Sequence, residues 1–213
     1  MTIKQLLRKP FRYVYWNAAL ILIAINLLVY FLTSRDSSLV PYLALNPLLI
    51  FKKGMFWQVF TYQFVHGSFS HLLSNMIGLF FFGMSVERHP QIGSKEFLLL
   101  YLLSGTLCGV FSLLLYWVTG TWYVFLMGAS GAIFAILLVY AVTYPRSIIY
   151  LWAFIPIPAP VLVLGYAGYE VFNLLLRSNS GIAHSTHLMG FGIAWLYCLI
   201  RFGINPVRVW RNR

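Results

Sequence analysis

Acidic side chains are almost missing from this chain: Asp and Glu number 4 in 213 residues, against 15 Lys and Arg, and charged residues of both signs make up only 9%. An ordinary soluble domain carries roughly a quarter of its residues charged, so that class is excluded. Cysteine is nearly absent too. Cys108 and Cys198 both lie inside apolar runs, which suits packing and not a disulfide framework. The zinc-protease pattern H-E-x-x-H does not occur. Lys4, Arg8, Lys9 and Arg12 stand before a first apolar run as in a signal peptide, but that run reaches Leu32 and no small-residue cleavage site follows it.

What is present is hydrocarbon. Apolar residues make up 61% of the chain, in several runs near the length that crosses a bilayer core, which predicts an all-α, polytopic, integral membrane protein of one domain spanning 1–213, with short basic tails. Apolar length places spans at about 14–33, from His71 to just before Glu87, and at about 97–118, 130–143, 160–176 and 184–203. Pro145 and Arg146 end the fourth, and the Pro-rich stretch Ile155 to Pro160 precedes the fifth. Between the first two spans, Phe51 to Trp57 mixes aromatics with lysines, a composition suited to the membrane interface.

The net charge of +11 then reports topology, not a nucleic-acid partner. With six spans and both termini cytoplasmic, the inner segments hold Lys4, Arg8, Lys9, Arg12, Arg88, Lys95, Arg146, Arg201, Arg208, Arg211 and Arg213, and the outer ones Arg35, Lys52, Lys53 and Arg177. This is the asymmetry of the positive-inside rule, and an odd number of spans would spoil it.

In that topology spans two, four and six all enter from the outer face, and polar residues gather at their starts: His71 and, one turn on, Asn75; Ser130 within Gly128-Ala129-Ser130-Gly131; His184 and His187. Ionisable groups at one membrane depth mark a site by default. Ser130 falls at a helix N-terminus, where unpaired N–H groups collect. A serine needs a base, and His is the usual one. Gly190, one turn after His187, gives span six a small face with which to approach the Gly128/Gly131 surface. No acid is near in sequence. The Ser130 N–H with the His71 and Asn75 side chains can donate to an oxyanion, completing the parts of an acyl-transfer site. Gly128-Ala129-Ser130-Gly131 alone also suits simple close helix packing, and it is not the nucleophile elbow of α/β-hydrolases, because Ala132 occupies a required glycine position.

Taken together, His71-Leu72-Leu73-Ser74-Asn75, Gly128-Ala129-Ser130-Gly131 and Ala183-His184-Ser185-Thr186-His187-Leu188-Met189-Gly190 resemble the rhomboid family of intramembrane serine proteases, in order and spacing. Phe56-Trp57-Gln58-Val59-Phe60-Thr61 resembles that family's first-loop Trp-Arg element, and Glu87-Arg88 with Gly93-Ser94 its connection between spans two and three. The resemblance implies a six-helix rhomboid-like bundle, Ser130 as nucleophile, His187 as base and acid, His71 and Asn75 as oxyanion donors beside Gly128 and Gly131, and no cofactor or metal. It further implies transmembrane protein substrates cut within or beside their spans. Gln58 stands where many members have arginine, and Phe134 where some have tyrosine.

Other readings compete with this one. A zinc site on His71, His184 and His187 lacks a nameable fourth ligand; a transporter would show inverted repeats; a catalytically inactive client-binding protein is the alternative that retains the fold. His66 reads as a hydrogen-bonding residue of the first loop, and His89 as cytoplasmic. Glu170 is open between proton handling and an ion pair with Arg177. The basic termini and lack of extra domains point to a bacterial plasma membrane.

Overall fold

The computed structural model describes residues 5, 7–151, 154–176 and 184–212. Among the described residues, three helices are long and apolar enough to cross a membrane: α1, Ala18–Arg35; α2, Phe69–Arg88, with a π-helical turn at Leu79–Gly83; and α3, Gly93–Thr119. Shorter apolar helices follow as α4, Ser130–Thr143, and α5, Ala159–Leu175. The sixth, α6, is His184–Tyr197 and runs into a π-helical turn at Cys198–Phe202. Ala183 and Arg177 lie outside the described residues.

The chain is mostly helical, but the all-α expectation needs one correction. A two-stranded antiparallel ribbon, β1 (Ile148–Leu151) and β2 (Ile155–Pro158), pairs Ile148 with Pro158 and Leu151 with Ile155. Isoleucines favour the extended backbone, and each strand of a two-stranded ribbon is an edge, where a proline without an N–H is tolerated.

Helix α4 forms the centre. It has no polar stripe, ten of its fourteen residues are buried, and a helix apolar on all sides belongs inside a bundle. Around it, α1, α2, α3 and α5 turn large apolar side chains outward, among them Leu28, Phe81, Leu114 and Leu164.

Each of the four acids has a partner. Glu87 is fully buried and accepts from the N–H groups of Ala18 (2.6 Å) and Ala19 (2.9 Å), capping the positive end of α1 from the far end of α2. Glu96 holds Arg201 through two bonds of 2.7 Å and accepts from the Tyr197 hydroxyl. Arg201 also donates to the Leu7 carbonyl, and Arg8 to those of Leu199 and Ile200, which docks the N-terminal segment on the end of α6. Asp36 accepts from the Ser38 N–H at the exit of α1, and hydrogen bonding by Ser38 holds its exposed carboxyl below the ordinary range. Glu170 belongs to the site.

The loop from α1 to α2 is built from short helices and is anchored by Gln58. This buried side chain accepts from the Asn46 N–H (3.0 Å) and donates to the Pro41 carbonyl (2.7 Å), a pairing that an amide can make and that a guanidinium, which only donates, cannot. Asn46 in turn caps the helix Pro47–Lys53 by accepting from the Leu49 N–H, and donates to the Val124 carbonyl. Phe51, Phe56 and Trp57 stay exposed, as the interfacial composition predicts. Gln58→Ala strands the Asn46 N–H and the Pro41 carbonyl; at roughly 1–3 kcal/mol per stranded group, the loss of stability is expected to be about 2–6 kcal/mol. Thermal unfolding in detergent measures it, and an unchanged midpoint would contradict the anchoring role.

Candidate active site

The approach to α4 is fixed before Ser130 is reached. Leu45 and Leu126 exchange backbone bonds of 3.1 and 2.9 Å, and the Gly128 N–H donates to the Tyr62 carbonyl at 3.1 Å. Gly128 then turns with φ +115°, and a Cβ there would lie 2.6 Å from both Cε1 and Nε2 of His71. The missing side chain thus lets the His71 ring sit against the backbone just before the nucleophile candidate. Ser130 opens α4, so its N–H lies in the first turn, where the helix offers that group no partner.

Helix α6 comes close enough to present a base. A Cβ on Gly190 would lie 2.2 Å from the Gly131 carbonyl oxygen; only a glycine admits this approach. The approach brings His187 Nε2 to 2.7 Å from Ser130 Oγ. Phe134 stacks on the imidazole with centroids 4.3 Å apart and planes 12° off parallel. Cys108 packs beside Gly131 and Thr186; it and Cys198 are free and buried.

His71 and Asn75 lie one turn apart on α2, whose N-terminus Ser68 caps by accepting from the His71 N–H. One N–H of the Asn75 amide donates to the His71 carbonyl at 2.8 Å, and an amide nitrogen carries two. Ser130, His187, His71, Asn75, Phe134 and Tyr166 all line one cavity of about 1180 Å³ between α2, the 121–127 loop, α4 and α5.

His66 stands in the first loop, two residues before the Ser68 cap of α2. Its ring packs edge-on against His71 with centroids 5.0 Å apart, and a backbone hydrogen bond with Phe64 acts on it. Burial first, and the neighbouring His71 second, pull this imidazole down to about 4, so it packs as a neutral ring. His89, at the opposite end of α2, faces Tyr144.

Glu170 has no role that the sequence alone assigns. It is buried at 3% exposure on α5, and its two oxygens face two histidines: Oε1 lies 2.9 Å from His187 Nδ1, and Oε2 lies 2.5 Å from His184 Nδ1. The signal in the sequence is an acid in the middle of an apolar run; the phase of α5 against α6 is what the sequence lacks. Arg177, the partner that spacing suggests, is outside the described residues. Among the described residues no group of three or more His, Cys, Asp or Glu side chains is arranged to hold a metal ion.

Comparison with known proteins bears on the same region. The family described as Rhomboid domain matches residues 53–204, well over half of the chain. RHOMBOID-like protein 12, mitochondrial, of Arabidopsis thaliana is 35% identical over 68% of this chain and 46% of its own length. Rhomboid protease AarA of Providencia stuartii is 28% identical over 80% of this chain and 67% of its own. Rhomboid protein 1, mitochondrial, of Saccharomyces cerevisiae is 32% identical over 63% and 38%. The chain thus spans less than half the length of the plant and yeast relatives. Their mitochondrial names leave the expectation of a bacterial plasma membrane without support.

Proposed function

The chain belongs to the rhomboid family, and on that premise we propose that it is an intramembrane serine endopeptidase, cutting peptide bonds within or beside the spans of membrane-protein substrates. The observation that carries this is the 2.7 Å approach of His187 Nε2 to Ser130 Oγ inside a cavity.

The steps follow from the positions of the groups. Ser130 Oγ bonds to the scissile carbonyl carbon while its proton passes to His187 Nε2, and the carbonyl π electrons move onto oxygen. The Ser130 N–H, the second Asn75 amide N–H and the His71 side chain donate to that oxyanion. The C–N bond then breaks, and the amine leaves with the proton from Nε2. Water attacks the acyl-enzyme, giving a proton to Nε2, and collapse releases the acid as Nε2 returns a proton to Ser130 Oγ. No metal or nucleotide enters.

The protein is an integral membrane protein, and α1 to α6 serve as six spans of one domain with both termini cytoplasmic. Docking of Leu7 and Arg8 on the end of α6 supports an even number of crossings. Helix α4, at 14 residues, rises roughly 21 Å against a hydrocarbon core of about 30 Å, so Ser130 sits below the outer surface in a protein-walled cavity. A client-binding role without chemistry is the second reading; the Ser130–His187 contact favours the enzyme.

Asn75→Ala is expected to lower kcat by about 10²-fold through loss of one oxyanion donor, and an unchanged kcat would remove Asn75 from the mechanism. The proposal itself is tested by mass spectrometry after treatment with a serine-directed phosphonate. An adduct on Ser130 that requires His187 is expected, and its absence would favour the client-binding reading.

A further inference from the structure

We propose that Glu170 is the positioning residue of the dyad, holding His187 as the tautomer that can accept the Ser130 proton, with His184 fixing the carboxylate from its other side. This rests on the serine-protease reading above.

The geometry is specific. His184 and His187 lie three residues apart on α6, on one face, and both turn Nδ1 toward α5. Glu170 meets each with a separate oxygen, at 2.5 and 2.9 Å. An ionised carboxylate only accepts hydrogen bonds, so His187 Nδ1 must carry a hydrogen. That leaves the Nε2 lone pair directed at Ser130 Oγ, 2.7 Å away. With the opposite tautomer, Nε2 would already hold its proton and the dyad would be unable to start.

Orientation is fixed as well as tautomer. The Phe134 face, stacked at 4.3 Å, limits tilting of the ring, and the Nδ1 bond stops its rotation. His184 holds the second oxygen, so the carboxylate cannot turn away from His187 without breaking a bond between buried groups. When Nε2 takes the serine proton, the resulting imidazolium has an anion against its other nitrogen, in surroundings with little water to screen the pair. Glu170 keeps its own charge throughout and touches neither substrate nor Ser130.

The competing explanation is a clamp that merely joins α5 to α6, and kinetics separate the two. Wild type, Glu170→Gln and Glu170→Asp are purified in detergent and assayed on a reporter transmembrane segment, with thermal midpoints measured in parallel. Positioning predicts that Glu170→Gln, folded, loses about 10²–10⁴-fold in kcat with KM within about twofold of wild type. Glu170→Asp, which keeps the charge on a shorter stem, is expected to fall between the two, about 10-fold to 10²-fold below wild type. A folded Glu170→Gln with kcat within about threefold of wild type would overturn the proposal, and so would equal kcat in the Gln and Asp variants. Should Glu170→Gln fail to fold, Glu170→Asp decides alone: lowered kcat at constant KM supports positioning, and wild-type kcat overturns it. If wild type itself leaves the reporter uncut and Ser130 unlabelled by phosphonate, the protease reading has failed, and the role of Glu170 with it. Activity in wild type but not in Ser130→Ala upholds the protease reading, so that the Glu170 variants then test Glu170 alone.

Discussion

Ser130→Ala and His187→Ala are each expected to lower the rate of peptide cleavage by about 10⁴–10⁶-fold, and the double variant is expected to be no slower than the slower single one. In the proposed mechanism nucleophile and base act as a unit: without Nε2 at 2.7 Å the serine hydroxyl keeps its proton, and without the hydroxyl the imidazole has nothing to activate. What survives in either variant is the stabilisation supplied by the oxyanion donors, which neither substitution touches. Turnover of all three variants, measured beside their thermal midpoints, checks this. A further multiplicative loss in the double variant would mean that the two residues act independently, and substantial turnover in either single variant would refute the dyad.

Gly190→Ala carries the second large effect, although Gly190 touches no reacting atom. Its added methyl would lie 2.2 Å from the Gly131 carbonyl oxygen and 3.1 Å from the carbon behind it. Both are backbone atoms of the central helix and cannot swing aside as a side chain would, so α6 has to move off α4. The overpacking alone is expected to destabilise by about 1–3 kcal/mol. A displacement of roughly 1 Å between Ser130 and His187 is worth about 10² in rate, and kcat/KM is expected to fall by at least that. Gly192→Ala is the control: a Cβ there meets nothing within 4 Å, and alanine suits a helix better than glycine, so its activity is expected to match wild type. Equal activity in the two variants would show that the close α4–α6 approach does not set the geometry of the site.

How much of this is legible in the sequence depends on whether the signal is local. Apolar length locates the six helices closely, because the bilayer demands a minimum run and leaves few choices. Ser130 at the head of α4 can be read from the two glycines and the uncharged run after them, and Gly190 points to His187 over His184. The ribbon at 148–158 is hidden because prolines read as an irregular connection unless the pairing partner is known. Partners distant in sequence are out of reach: Glu87 caps α1 from 69 residues away, and Gln58 finds Pro41 and Asn46 only once the first loop has folded back. Glu170 is visible as a membrane-embedded acid, but its target depends on the rotation of α5 against α6, which composition does not encode. The packing of His66 against His71 is out of reach for the same reason, being set by how the loop enters α2.

The most direct measurement is cleavage of a reporter transmembrane segment by the purified protein in detergent, with Ser130→Ala and a metal chelator run in parallel and products identified by mass spectrometry. Wild type is expected to cut within or beside the segment, undiminished by chelator, and Ser130→Ala to leave it intact. Cleavage that persists in Ser130→Ala, or that chelator abolishes, would contradict a serine protease built on Ser130 and His187.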